Sequence, residues 1–90
     1  MEERQTSMKV RYIGESFGVD SLTDGKVYTC IAVEDGAGLC KYALRIIDDS
    51  GEDYLYSSLR PGPLDRSSPG GRWEIIEDDE HGTLARVTKP

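Results

Sequence analysis

The chain has few of the residue types on which most catalytic and metal sites depend. It contains one histidine, His81, and two cysteines, Cys30 and Cys40, among 90 residues. A structural zinc site needs about four ligands, and a serine or cysteine nucleophile needs a base, whereas His81 stands in a polar stretch near the C-terminus. The sequence also lacks a G-x-G-x-x-G or P-loop motif. We therefore expect a protein that is not an enzyme and that uses no metal or other cofactor.

Long apolar runs and basic runs are also missing. No apolar run approaches the roughly 20 residues that span a bilayer, and the stretch MEERQTSMKV has no apolar segment of a signal peptide. With 11 Lys and Arg against 17 Asp and Glu, the net charge is −6, which repels phosphate backbones. We expect a monomeric, cytoplasmic protein whose partner is neither a membrane nor a nucleic acid. Its two cysteines would then be reduced. The alternative is a Cys30–Cys40 disulfide, which requires their Cα atoms to lie within about 7 Å.

Short stretches of alternating apolar and polar residues make up most of the remaining sequence. MKVRYIG, KVYTCIAVED, LCKYALRIID, DYLY and WEIIED each predict a strand, although Leu, Lys, Ala and Arg make a short helix the alternative for the third. Five short strands without a long helix predict a small all-β barrel or sandwich. The apolar pattern places this domain at residues 8–78, between a disordered N-terminus at 1–7 and a disordered polar tail at 79–90.

The acidic stretch RIIDDSGEDYLY raises the possibility of a cation site. An EF-hand loop with Gly51 at its sixth position would need a carboxylate or amide where Ile46 stands and a glutamate where Ser57 stands. The pattern is more typical of a hairpin in which Ser50 and Gly51 form the turn. We therefore expect exposed, solvated carboxylates at a turn and no metal.

The order of these elements resembles an SH3-like barrel, in which a long first loop, a tight hairpin and one helical turn precede the last strand. SGEDYLYSSL is similar to the fourth strand and helical turn of SH3 domains, and LTDGKVY with IDDSGEDYLY resembles small uncharacterised SH3-like proteins of Gram-positive bacteria and their phages. The resemblance covers residues 8–78 and implies a five-stranded barrel with a helical turn at 57–60. Proline-motif binding is not implied, because VRYIGES has Tyr12 without a second tyrosine and LCKY stands where SH3 domains have paired tryptophans.

The resemblance implies a binding surface between the first loop and the long loop at residues 57–72. Its candidate members are Tyr12, Phe17, Tyr56 and Trp73, because tyrosine and tryptophan commonly anchor interfaces. The alternative is that these aromatic residues only fill the core. The functional hypothesis is a small module that binds a protein or peptide. The alternatives are an accessory protein of a phage or mobile element that acts on a host complex and, less favoured, a hydrolase or thiol enzyme.

Overall fold

The computed structural model describes residues 8–18, 21–36, 41–63 and 67–89. Five strands and one helix follow each other along the chain: β1 Met8–Gly14, β2 Val27–Asp35, β3 Tyr42–Ile47, β4 Asp53–Ser57, β5 Gly71–Glu77 and α1 Thr83–Val87. The expected all-β character is confirmed, and the third segment is a strand rather than the alternative helix. Cys40 and the N-terminal residues 1–7 lie outside the described residues, so the predictions made for them stay predictions.

All five strands belong to one antiparallel sheet with the order β4-β3-β2-β1-β5. Strands β1 to β4 pair in succession, and β5 returns to pair with β1. Strands β4 and β5 are therefore the two edges, and no ladder between described residues closes the sheet into a barrel. The edges are joined instead by a side chain, because the Trp73 indole N–H donates to the Ser57 carbonyl oxygen at 2.9 Å.

Alternate residues of the strands point into a single apolar core. Partners that face each other across the ladders, such as Tyr12 with Trp73 and Leu44 with Tyr56, place apolar side chains on one face of the sheet. Irregularities between Lys9 and Val10 and between Cys30 and Ala32 interrupt the ladders, and bulges of this kind bend a strand. The bent sheet wraps around a core that also takes Phe17 and Leu22 from the first loop, residues 15–26.

The C-terminal segment differs from the disordered tail expected from residue 79. Helix α1 buries Leu84 and Val87 against the sheet core, because residues three apart lie on one face of a helix. Its first N–H groups also have partners: the Asp78 carboxylate accepts from the N–H groups of Leu84 at 2.9 Å and Ala85 at 3.0 Å. Asp79 accepts from the Thr83 N–H at 2.9 Å. The domain therefore extends past residue 78 and includes α1.

The helical turn implied at residues 57–60 is not formed, since this segment bends without becoming a helix. The Ser57 hydroxyl accepts from the N–H groups of Leu59 at 3.3 Å and Arg60 at 3.2 Å. A serine that binds the backbone two and three residues ahead offers those N–H groups an alternative to helical hydrogen bonds. This local competition explains why the segment bends without forming a helical turn.

The hairpin predicted from Ser50 and Gly51 is confirmed. Strands β3 and β4 pair from Ala43 with Ser57 to Ile47 with Asp53, and the Gly51 N–H donates to the Asp48 carbonyl oxygen at 2.9 Å. Gly51 has a φ of 85°, a backbone conformation that residues with a Cβ atom rarely adopt. The acidic stretch therefore forms the chain reversal between two strands.

Candidate functional site

The four aromatic residues proposed from the sequence lie together, inside the core. Their rings form a closed circuit of edge-to-face contacts in which neighbouring centroids are 5.8 to 6.4 Å apart. Tyr12, Phe17 and Trp73 are buried and Tyr56 is half-buried. Burial also raises the pKa of the Tyr12 hydroxyl, which donates to the Glu15 carbonyl oxygen at 2.6 Å. These contacts match the core alternative more closely than an exposed aromatic groove.

The first carboxylate of the hairpin, Asp48, is buried, contrary to the expectation of a solvated side chain. It accepts three hydrogen bonds: from the Ser50 N–H at 3.0 Å, the Ser50 hydroxyl at 2.5 Å and the Tyr56 hydroxyl at 2.7 Å. Burial, and then the contact with Asp48, raises the pKa of Tyr56. Asp48 therefore joins the turn to the aromatic core.

The second carboxylate, Asp49, joins the hairpin to the first loop. It accepts from the Thr23 hydroxyl at 2.8 Å, the Lys26 ammonium at 2.6 Å and the Tyr28 hydroxyl at 3.0 Å. Burial disfavours the charged form of Asp49, but the hydrogen bonds from Lys26, Thr23 and Tyr28 outweigh it and hold its pKa below the ordinary value. We call Thr23, Lys26, Tyr28, Asp48, Asp49, Ser50 and Tyr56 the hairpin network. Its carboxylate oxygens are used within the fold, and no group of three metal-ligating side chains occurs among the described residues.

A different kind of site lies at the other end of β3, where α1 packs beside the sheet. Two adjoining clefts with volumes of about 300 and 310 Å³ share Tyr42, Arg86 and Val87 as walls. We refer to them together as the helix cleft. Its lining is Val33, Lys41, Tyr42, Ser58, Leu59, Thr83, Arg86, Val87 and Lys89.

Local hydrogen bonds explain how distant parts of the chain form this cleft. The Ser58 N–H donates to the Tyr42 carbonyl oxygen at 3.1 Å, which places Ser58 and Leu59 beside the start of β3. On the helical side, the burial of Leu84 and Val87 turns α1 so that Arg86, between them, stays exposed. The packing of the helix on the core therefore creates the cleft.

The helix cleft combines exposed apolar side chains with positive charge. Tyr42 is 39% and Leu59 is 42% exposed, and the Lys41 ammonium lies 5.9 Å from the centre of the Tyr42 ring. Lys41, Arg86 and Lys89 line the cleft, while none of its described lining residues is acidic. Within the described ranges, none of these three cations forms an ion pair. The site can therefore offer both apolar contact and unneutralised positive charge to a ligand.

Sequence reasoning missed this cleft, because its members come from segments interpreted as strand, loop and disordered tail. The available signal was the stretch TLARV. Leu84 and Val87 are three residues apart, as on one apolar face of a helix, and Arg86 falls outside that face. The acidic pair Asp78 and Asp79 ahead of that stretch is a typical start of a helix. With α1 predicted, Arg86 and Lys89 would have appeared as exposed cations at its C-terminal end.

The buried cysteine has the properties of a core residue rather than of a nucleophile. Cys30 is free and buried, and its Sγ–H donates to the Ala32 carbonyl oxygen at 3.3 Å. Burial raises its pKa to about 11. Since the thiolate is the reactive form, burial disfavours a nucleophilic role for Cys30.

Two further observations concern the chain as a whole. The helix found in the described residues is too short and too polar to cross a membrane. Comparisons of the chain with protein-family models, curated proteins and solved structures produced no match.

Proposed function

We propose that this protein is a small binding module without catalytic activity, and that it binds a peptide or a peptide segment of a partner protein in the helix cleft. The observation that carries the proposal is the pair of exposed apolar side chains, Tyr42 and Leu59, in a concave surface. The four aromatic residues first considered for binding are packed against each other, so their rings offer a ligand less surface.

The size and chemistry of the cleft suit a short peptide. Ligand sites are concave, have volumes of about 300 Å³ or more, and combine apolar walls with a few polar groups. Tyrosine is among the side chains that most often dominate binding energy at interfaces. Val87 and Ser58, which also line the cleft, are buried, so their side chains are already ordered by the fold and binding would require less further ordering.

The proposed fold family is that of SH3-like barrels, and the sheet order supports it. Strands β1 to β4 form a meander, and β5 returns to pair with β1. This order is compatible with a small, partly open barrel. The tight hairpin at Gly51 and the long first loop agree with that layout, whereas the open edge between β4 and β5 departs from a closed barrel. The fold alone does not specify a ligand.

Selection from a displayed random-peptide library tests the binding proposal. We expect enriched peptides that lose at least about five-fold in affinity for the Tyr42→Ala or Leu59→Ala variant, since truncating an interface anchor costs more than about 1 kcal/mol. Tyr54→Ala is the matched control, because Tyr54 is 50% exposed on β4 and does not line the cleft. Failure to enrich any peptide, or peptides that lose affinity only for the Tyr54 variant, would contradict the proposal.

A further inference from the structure

We infer that the ligand of the helix cleft is an acidic peptide, in which carboxylates flank at least one apolar side chain. This inference rests on the proposed function and specifies the ligand class of that site. Three cations, Lys41, Arg86 and Lys89, line the same cleft as the exposed Tyr42 and Leu59. Apolar contact and positive charge are thus offered at the same place.

The distribution of charge makes this cleft unusual for the chain. The protein has a net charge of −6, yet no acidic residue is among the described residues that line the cleft. Asp35 pairs with Tyr42 across the strands but does not line either cleft. Outside the cleft, Arg45 binds Glu34 and Asp53, Lys26 binds Asp49, and Arg11 binds Glu74. Lys9, Arg60 and Arg72 form no ion pair with a described residue, but they do not line the cleft. The helix cleft is therefore a positive surface on an acidic protein.

The cations of the cleft fit carboxylates by geometry as well as by sign. The Arg86 guanidinium is a planar fork that can donate two parallel hydrogen bonds to one carboxylate, and the two lysines act as more adaptable point charges. Tyr42 and Leu59 line the same cleft as these groups and can hold an apolar residue of the same peptide. A peptide with acidic residues on both sides of an apolar one satisfies both requirements.

The acidic surroundings favour a short peptide over a nucleic acid. At physiological ionic strength, charges separated by more than about 8 Å are largely screened, so a short ligand feels mainly the cations that it contacts. A long polyanion extends beyond the cleft onto a surface with more carboxylates than cations. Its additional phosphates would be repelled there, whereas favourable nucleic-acid binding commonly requires several phosphate contacts.

Three matched pools of short synthetic peptides test this inference. The pools share their leucine positions and carry glutamate, glutamine or lysine at the other variable positions, and fluorescence anisotropy measures their affinity for the full chain. We expect the glutamate pool to bind about ten-fold more tightly than the glutamine pool, which corresponds to a few exposed ion pairs of less than 1 kcal/mol each. High salt should reduce this difference, because exposed charges are screened.

Charge reversal in the cleft provides the decisive control. Arg86→Glu should weaken the glutamate pool and strengthen the lysine pool, and Lys41→Glu should repeat the effect if the Arg86 variant folds poorly. Arg72→Glu, an exposed change on β5 that is not in the cleft, should affect the glutamate pool much less. A thymidylate oligonucleotide serves as the nucleic-acid probe.

The outcomes separate the two proposals. Equal binding of the glutamate and glutamine pools, with loss in Tyr42→Ala, would overturn the acidic-peptide inference and leave peptide binding standing. Preference for the lysine pool, or tighter binding of the oligonucleotide than of the glutamate pool, would also overturn the inference. Binding by none of the pools would contradict the inference, and a failed library selection in addition would contradict the proposed function.

Discussion

The two ends of β3 use charge in opposite ways. Asp48 follows Tyr42 by six positions along the chain, so a fully extended strand places them roughly 20 Å apart. At the Asp48 end, the carboxylates of the hairpin network accept hydrogen bonds from the loop, the turn and the aromatic core. At the Tyr42 end, the cations beside the cleft form no ion pair with any described residue. Changes at the hairpin end should thus affect stability, and changes at the cleft should affect binding.

The largest expected effect comes from the packing that supports the cleft. Leu84→Ala removes a fully buried side chain of α1, and such truncations lower the free energy of unfolding by about 2 to 5 kcal/mol. Chemical denaturation should show this loss. Ala85→Gly, at a partly buried position of the same helix, should cost about 1 kcal/mol through helix propensity alone. A loss from Leu84→Ala no larger than that control would mean that α1 is not part of the cooperative domain.

The next largest effect concerns the buried carboxylate of the hairpin network. Asp48→Ala leaves the Tyr56 hydroxyl and the Ser50 groups without their acceptor, and an unsatisfied buried polar group costs about 1 to 3 kcal/mol. Tyr56→Phe removes the hydroxyl together with its need for a partner. Denaturation of the single variants and of the double variant should therefore show coupling between the two positions. Additive losses would contradict the hydrogen-bond account.

A smaller effect should appear when the pH is lowered. The pKa of Asp49 lies below its ordinary value of 3.8 because hydrogen bonds from Lys26, Thr23 and Tyr28 outweigh burial. A folded-state pKa that is lower than the unfolded one contributes stability above the unfolded pKa, and this contribution is lost as the pH falls through the folded pKa. Wild type should therefore lose more stability below about pH 4 than Asp49→Asn does. Identical pH profiles would show that Asp49 is not held in its charged form by the fold.

The smallest change in stability is expected at the cleft itself. Arg86→Gln removes an exposed charge that has no ion-pair partner among the described residues, so the free energy of unfolding should change by less than about 0.5 kcal/mol. A matched Lys26→Gln change at the hairpin network breaks the contact with Asp49 and should cost more. Equal losses for the two variants would remove the distinction between the ends of β3.

The sequence predicts the hairpin end better than the cleft end, and the reasons are physical. Period-2 alternation identifies the strands, and a glycine between acidic residues identifies the turn at Gly51, because both signals are local. Alternation also shows that Tyr54 and Tyr56 share a face, but not how deeply each is buried, which depends on elements that are distant in sequence. Tyr56 and Trp73 could therefore be named as candidates without being recognised as core residues.

The cleft could not be derived from local patterns, because it requires a tertiary contact. The five residues of α1 are too few for a stable isolated helix, so the helix exists through the burial of Leu84 and Val87 against the sheet. Lys41, Leu59 and Arg86 become neighbours only after that packing. A local pattern cannot show such a contact before the fold is known.

Chemical-shift mapping of the full chain with the glutamate peptide pool tests the central claim most directly. The account predicts saturable shifts of the backbone amides at Lys41, Tyr42, Leu59 and residues 86–89, with little change at Gly51 and Tyr54. Arg86→Glu should abolish these shifts while the amides of the hairpin network keep their positions. Shifts centred on the hairpin network or on the first loop, with the cleft amides unmoved, would contradict the assignment of ligand binding to the helix cleft.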